Sequence, residues 1–219
     1  MCRGPRGGVR ERADAPGARP RGPHPKAGRA AIETVRAFVA ILLANGLRAR
    51  LAAEVDRLRP LARDVAWVRG DNFHLTLKFL GGVEARRLEA IAAALAEVAQ
   101  VHPAFELGVR ELGAFPSRTR PRVLWAGVEE GAEAAAALAA GVDAALGRLG
   151  FEPEGRAFTA HITLGRVRAP RAQPRLTEAL RGGIYGRQRV DHLSLMRSEL
   201  SPRGARHTEL AALPMAPGA

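Results

Sequence analysis

The chain has a single cysteine, Cys2, among 219 residues. No intramolecular disulfide can form, and no zinc site built on paired thiolates. That usage fits a reducing compartment, and the cytoplasm is the expected location. No apolar run approaches the ~20 residues needed to cross a bilayer, so no membrane span is expected. Phe38 to Leu43 is short, and Arg48, Arg50, Glu54 and Asp56 follow it at helical spacing. It reads as a core strand rather than a secretory leader. There is no His-Glu-x-x-His and no dense carboxylate cluster, which argues against metal-assisted hydrolysis. There is no phosphate-binding P-loop, which argues against a self-sufficient ATP-dependent ligase. There is no Gly-x-Ser-x-Gly elbow for Ser–His–Asp hydrolysis.

What is present is positive charge. The formal net charge is +12. Residues 1–30 hold seven Arg and one Lys against Glu11 and Asp14, half of the excess. Residues 1–34 are rich in Gly, Pro and Arg and too poor in large apolar groups to offset chain entropy, so they are expected to be a disordered tail. The folded domain is expected over residues 35–215. Its remaining positive charge suits a polyanion such as RNA.

The domain alternates strands with amphipathic helices. Ala37–Leu43 reads as a strand. Leu47, Leu51, Val55 and Leu58 mark a helix face, ended by Pro60. Strands are expected over Ala66–Arg69 and Phe73–Leu80, the second stopped by Gly81 and Gly82. Leu88, Ile91, Leu95 and Val98 line a second helix. Phe105–Leu112 and Val123–Val128 read as strands separated by a turn-rich segment. Leu138, Val142, Leu146 and Leu149 mark a third helix. A strand follows at His161–Val167, then a short helix over Pro174–Leu180. Val190–Met196 and Glu209–Leu213 are expected to close the fold. Hairpin-like neighbours favour an α+β class with antiparallel pairing.

One tetrapeptide occurs twice: His74-Leu75-Thr76-Leu77 and His161-Ile162-Thr163-Leu164. On a strand, residues i and i+2 share a face. His74 and Thr76 would then share one face while Leu75 and Leu77 fill a core, and the second copy would repeat this. Such a repeat predicts two related lobes, with two imidazoles and two hydroxyls around one small anion. Histidine titrates near pH 6.5. One neutral and one protonated ring on opposite sides of a phosphodiester make an acid–base pair for in-line displacement. Threonine hydroxyls and a nearby arginine would hold the oxygens where charge builds up.

The chain resembles the two-histidine (2H) phosphoesterases, and most closely the bacterial branch of RNA 2′,3′-cyclic phosphodiesterases once called 2′-5′ RNA ligases. Four blocks carry the resemblance: Asn72 to Gly81, Gly113 to Ser117 followed by Arg120 to Val128, Phe158 to Val167, and Leu195 to Pro202. It covers roughly residues 36–214. It implies a bilobal, pseudo-two-fold α+β fold, with two mainly antiparallel sheets, flanking helices and a central cleft. It implies hydrolysis of RNA 2′,3′-cyclic phosphate ends, tRNA fragments among them, to 2′-phosphomonoesters. No metal, cofactor or membrane is implied, and a monomer is expected. His74 and His161 fall on the catalytic positions. Thr76, Thr163 and Arg166 fall on phosphate-binding ones. The expected order is His74 as acid and His161 as base. The alternatives are reversible 2′-5′ RNA ligation or cleavage at the same site, and an RNA-end-binding module without turnover.

Other residues carry weaker expectations. Phe79, at an odd offset from His74, is expected in the core of a regular strand, with stacking on a base as the alternative, and Trp125 is expected in the core. Asp71 reads as a turn residue. His102, His192 and His207 have no partner motif and are expected at the surface or edges, and His24 lies in the tail. Arg118, Arg120 and Arg122 flank a loop and either face solvent or grip an RNA backbone.

Overall fold

The structure is a computed structural model that describes residues 33–168, 174–180, 182–201 and 204–218. The expectations for Cys2, His24, Pro202 and the tail through residue 32 lie outside the described residues. The elements in chain order are β1 (Thr34–Leu42), α1 (Asn45–Leu58), β2 (Val65–Trp67), β3 (His74–Glu84), α2 (Leu88–Val101), β4 (Phe105–Phe115) and β5 (Val123–Val128). They continue with α3 (Ala132–Arg148), β6 (His161–Val167), α4 (Pro174–Ala179), β7 (Ile184–Val190), β8 (His192–Ser201) and β9 (Gly204–Pro214).

Every pairing between these strands is antiparallel. The order is β7-β4-β5-β6-β3-β1-β8-β9, with β2 also paired to β6. Two halves meet at β6 and β3, through the pair Leu75–Ile162 alone. The two expected sheets are thus joined by one residue pair, and that pair lies inside the two repeated tetrapeptides. The repeat exchanges strands between the halves. β4 follows the first tetrapeptide in sequence but pairs with β5 in the second half. β8 follows the second but pairs with β1 in the first. This exchange ties the halves into one α+β fold.

The helices bury the faces that their spacing predicts. Leu47, Leu51, Val55 and Leu58 of α1, Ile91, Leu95 and Val98 of α2, and Leu138, Val142 and Leu146 of α3 are all buried. They join one core with Leu75, Leu77, Ile162 and Leu164 from the tetrapeptides. Each such side chain contributes roughly 1.5–3 kcal/mol relative to exposure. The core therefore fixes which face of β3 and β6 is left for His and Thr. A smaller cluster of Phe38, Ala40 and Met196 lies apart from that core.

Three expectations change. β3 does not stop at Gly81-Gly82: Gly81 takes φ +68° and the ladder with β1 continues through Thr34–Glu84. A glycine that reaches positive φ accommodates an irregularity in the ladder rather than ending it. Val190–Met196 is not one strand. β7 ends at Val190 and β8 begins at His192, with Asp191 between them. Its Gly- and Arg-rich sequence hid β7. Leu149 lies just past α3 and is half-buried.

Candidate active site

The two tetrapeptides meet at the centre of the sheet. The antiparallel pair Leu75–Ile162 sets the register. It places His74 opposite Thr163 and Thr76 opposite His161. Directly opposed residues have Cβ atoms about 4.5–5.5 Å apart, and diagonal ones about 7–8 Å. His74 and His161 stand on one diagonal, and the two threonines on the other. All four are only partly buried, while Leu75 and Ile162 between them are fully buried.

Two cavities flank this crossing. One, of about 440 Å³, is lined by His74, Phe38, Trp67, Asn72 and His207, among others. The other, of about 370 Å³, is lined by His161, Thr159, Phe158, Arg156 and Asp143, among others. Thr76, Phe79, Thr163 and Arg166 line both. One imidazole therefore stands on each side of a shared wall of two hydroxyls and a guanidinium. All five residues singled out from the sequence converge here.

Each imidazole is held in the same way. His74 Nδ1 lies 2.7 Å from the carbonyl oxygen of Asn72, and His161 Nδ1 lies 2.7 Å from that of Thr159. A carbonyl only accepts, so Nδ1–H donates and Nε2 is left to exchange a proton. An aromatic ring supports each: Phe38 at 4.8 Å from His74, and Phe115 edge-on at 5.1 Å from His161. Burial pushes the His74 imidazole down to about 4, against the Asn72 bond, and His207 adds to the lowering. Burial also lowers His161, against the Thr159 bond, and the Arg166 charge lowers it further.

Several residues depart from expectation. Phe79 is 63% exposed and lines both cavities, so it is not core. The β1–β3 register shifts between Val39–Lys78 and Ala40–Thr76. That bulge at Leu77 reverses the alternation and turns Phe79 to the His74 face. It also sends Lys78 inward, where only 3% of it is exposed. The Lys78 ammonium bonds Asp143 and, at 2.7 Å, the Glu152 carbonyl. The Lys78 bond holds the Asp143 carboxyl below the usual carboxylate range. His207, expected at an edge, is half-buried with its ring 5.2 Å from His74 and 5.0 Å from Phe38. Its partner is 133 positions away in sequence, so no local signal marked it. Trp125 is half-buried with its ring 5.2 Å from Phe115, on the strand position paired with Thr163. It does not belong to the helix-side core.

Gly165 explains how Trp67 reaches the cleft wall. These two residues pair across β2 and β6. A Cβ on Gly165 would fall 2.6 Å from Val65 and 3.0 Å from the Trp67 ring. Asp71 is an exposed turn residue, paired with Arg69 at 3.6 Å. Backbone carbonyls, not carboxylates, orient both imidazoles. His192 pairs with Asp191 at 2.6 Å near the surface, and His102 Nδ1 lies 2.8 Å from the carbonyl oxygen of Val98. Among the described residues, no group of three or more His, Cys, Asp or Glu is placed to hold a metal ion. No described helix is long and apolar enough to cross a membrane.

Comparison with known proteins agrees with this fold. The family model for LigT-like phosphoesterases matches residues 41–125 and 127–206. An RNA 2′,3′-cyclic phosphodiesterase of Methanothermobacter thermautotrophicus is 36% identical over 179 residues, covering 80% of this chain and 96% of the relative. One from Thermus thermophilus is 35% identical over 180 residues, covering 80% and 88%. A crystal structure of a Thermus thermophilus protein superposes with a TM-score of 0.72 at 30% identity, covering 83% of this chain and 98% of that one. The crystal structure of E. coli LigT complexed with 3′-AMP gives 0.70 at 28% identity, covering 84% and 99%. The chain belongs to the LigT-like phosphoesterase family.

Proposed function

We propose that this phosphoesterase hydrolyses 2′,3′-cyclic phosphate ends of RNA to 2′-phosphomonoesters, by two-histidine acid–base catalysis without a metal. The observation that carries this is the placement of one imidazole on each side of a wall shared by Thr76, Thr163 and Arg166. The relatives named above act on RNA 2′,3′-cyclic phosphates by name.

A neutral imidazole takes a proton from water as the water oxygen bonds to phosphorus. The P–O3′ bond breaks, and the opposite, protonated imidazole gives its proton to O3′. The rings end with their protonation states exchanged, and solvent resets them. Each transfer is worth typically ~10²–10⁴-fold. Thr76 and Thr163 hydroxyls and the Arg166 guanidinium hold the non-bridging oxygens as charge grows. The fold makes the imidazoles near-equivalent. A ribose on the His74 side makes His74 the acid, as expected from the sequence; a ribose on the other side reverses the roles. The exposed Phe79 ring offers a face for the terminal base. The enzyme would work as a monomer in the cytoplasm, where tRNA fragments with cyclic ends are suitable substrates.

The test uses a short RNA with a 2′,3′-cyclic phosphate end, incubated with the protein and EDTA. A 2′-phosphate product is expected. A 2′-5′ junction would favour ligation instead, and an unchanged RNA that still binds would leave only an RNA-end-binding module.

A further inference from the structure

A third cavity, of about 840 Å³, opens beside His161 on the side away from His74. Arg120 and Arg122 come from the segment between β4 and β5, and Arg156 from the segment between α3 and β6. No carboxylate lines it. None of these three guanidinium groups has an ion-pair or hydrogen-bond partner among the described residues, whereas Arg57, Arg86, Arg110, Arg187 and Arg197 all pair with glutamates. Arg156 also lines the His161 cavity, where Asp143 and Glu154 stand, whereas Arg120 and Arg122 face only the cavity without a carboxylate.

The backbone that presents them is well tied down. Arg118, from the same loop and itself exposed, donates to the carbonyls of Leu112 at 2.7 Å and Leu180 at 3.0 Å. Its own carbonyl accepts from Thr177 at 2.7 Å. Arg118 is therefore a loop anchor, its guanidinium engaged by two backbone carbonyls. Arg122 N–H donates to Phe115 at 2.7 Å, and its carbonyl accepts from Val167 at 2.9 Å. Arg120 N–H donates to Ser117 Oγ at 3.3 Å. An ordered loop thus holds out two cations, and Arg156, which also lines the His161 cavity, provides a third at the entrance to the cleft.

We infer that this cavity is a binding site for the phosphate backbone of RNA, so that the preferred substrate is an oligonucleotide rather than a cyclic mononucleotide. This rests on the hydrolase reading above and specifies its substrate class. Unpaired arginines continuous with the site match a strand whose phosphates lead away from its reacting end. A strand laid there seats the terminal ribose on the His161 side, which is the reversed order, with His161 protonating O3′ and His74 activating water.

The experiment compares kcat/KM for 2′,3′-cyclic AMP and for an RNA hexamer with a 2′,3′-cyclic end, across a series of KCl concentrations. Single-stranded binding loses about 0.7 log units per contact per log unit of salt. Three contacts give the hexamer a slope steeper by about 2, roughly a 20-fold loss between ~50 and ~200 mM salt that the mononucleotide does not show. Replacing Arg120→Ala, Arg122→Ala and Arg156→Ala together should collapse the hexamer preference and its extra slope, with the melting temperature as a check on folding. Equal wild-type slopes for the two substrates, or a triple variant that keeps the preference, would overturn the backbone site while mononucleotide turnover left the hydrolase reading intact. If neither substrate is turned over, the hydrolase reading fails. Hexamer affinity by fluorescence anisotropy, wild type against triple variant, then decides the backbone site alone: an unchanged affinity overturns it.

Discussion

An oxyanion entering the cleft should move the His74 titration by several pH units. In the free protein, burial holds this imidazole at about 4. A phosphodiester monoanion in contact with the ring sits about 4 Å from its charge. At an effective dielectric constant near 20 the attraction is about 4 kcal/mol. That equals about 3 pKa units, which carries His74 to near neutrality in the complex. The sign follows by linkage: between the free and bound values the complex holds one more proton than the free protein. Affinity for the anion therefore rises as pH falls through that window, by up to about tenfold per pH unit, and levels off on either side. Dimethyl phosphate is a suitable probe, because it stays a monoanion throughout. Histidine NMR titrations with and without the probe report the shift, and calorimetry at several pH values reports the affinity. A free His74 that titrates near 6.5, or one that stays put at saturating anion, would refute the reasoning.

Four further outcomes are expected. His74→Ala and His161→Ala should each abolish turnover, by at least ~10²-fold in kcat, with circular dichroism unchanged; near-wild-type rates in either would remove that ring from the acid–base pair. Thr76→Val and Thr163→Val, which keep shape and remove the hydroxyl, should each lower kcat by roughly 10²-fold, whereas a change confined to KM would limit them to ground-state binding. Phe79→Ala should raise KM for a cyclic mononucleotide while melting stays as in wild type, because the ring is exposed; a lowered melting temperature with KM unmoved would return Phe79 to a packing role. Asp143→Ala leaves the buried Lys78 ammonium with only the Glu152 carbonyl, a loss of roughly 3 kcal/mol that thermal or urea unfolding would read, and an undiminished stability would contradict the buried ion pair.

The parts of the site that were legible in the sequence are those fixed by strand alternation. His74 with Thr76, and His161 with Thr163, follow from period two, because Leu75, Leu77, Ile162 and Leu164 can only face the core. The meeting of the two copies followed from the repeat. What was not legible depends on breaks in that period or on distant partners. A bulge at Leu77 turned Phe79 outward and Lys78 inward, and no local residue type announces a bulge there. Gly81 and Gly82 looked like a stop because glycine ends many strands, yet positive φ at Gly81 let β3 run on. His207 reaches His74 only because β9 lies beside β8, which pairs with β1, a relation between strands far apart in the chain. Arg118 looked like its neighbours Arg120 and Arg122, and only its contacts to two backbone carbonyls set it apart.

The most direct measurement is a crystal structure with adenosine 2′-phosphate bound in the cleft. Nε2 of His74 and Nε2 of His161 should each lie within about 3.2 Å of an oxygen atom, of the ligand or of a water, on opposite sides of the single phosphorus. Thr76, Thr163 and Arg166 should contact the remaining phosphate oxygens. A phosphate reached by only one of the two rings, or seated away from both, would contradict two-histidine catalysis at this crossing.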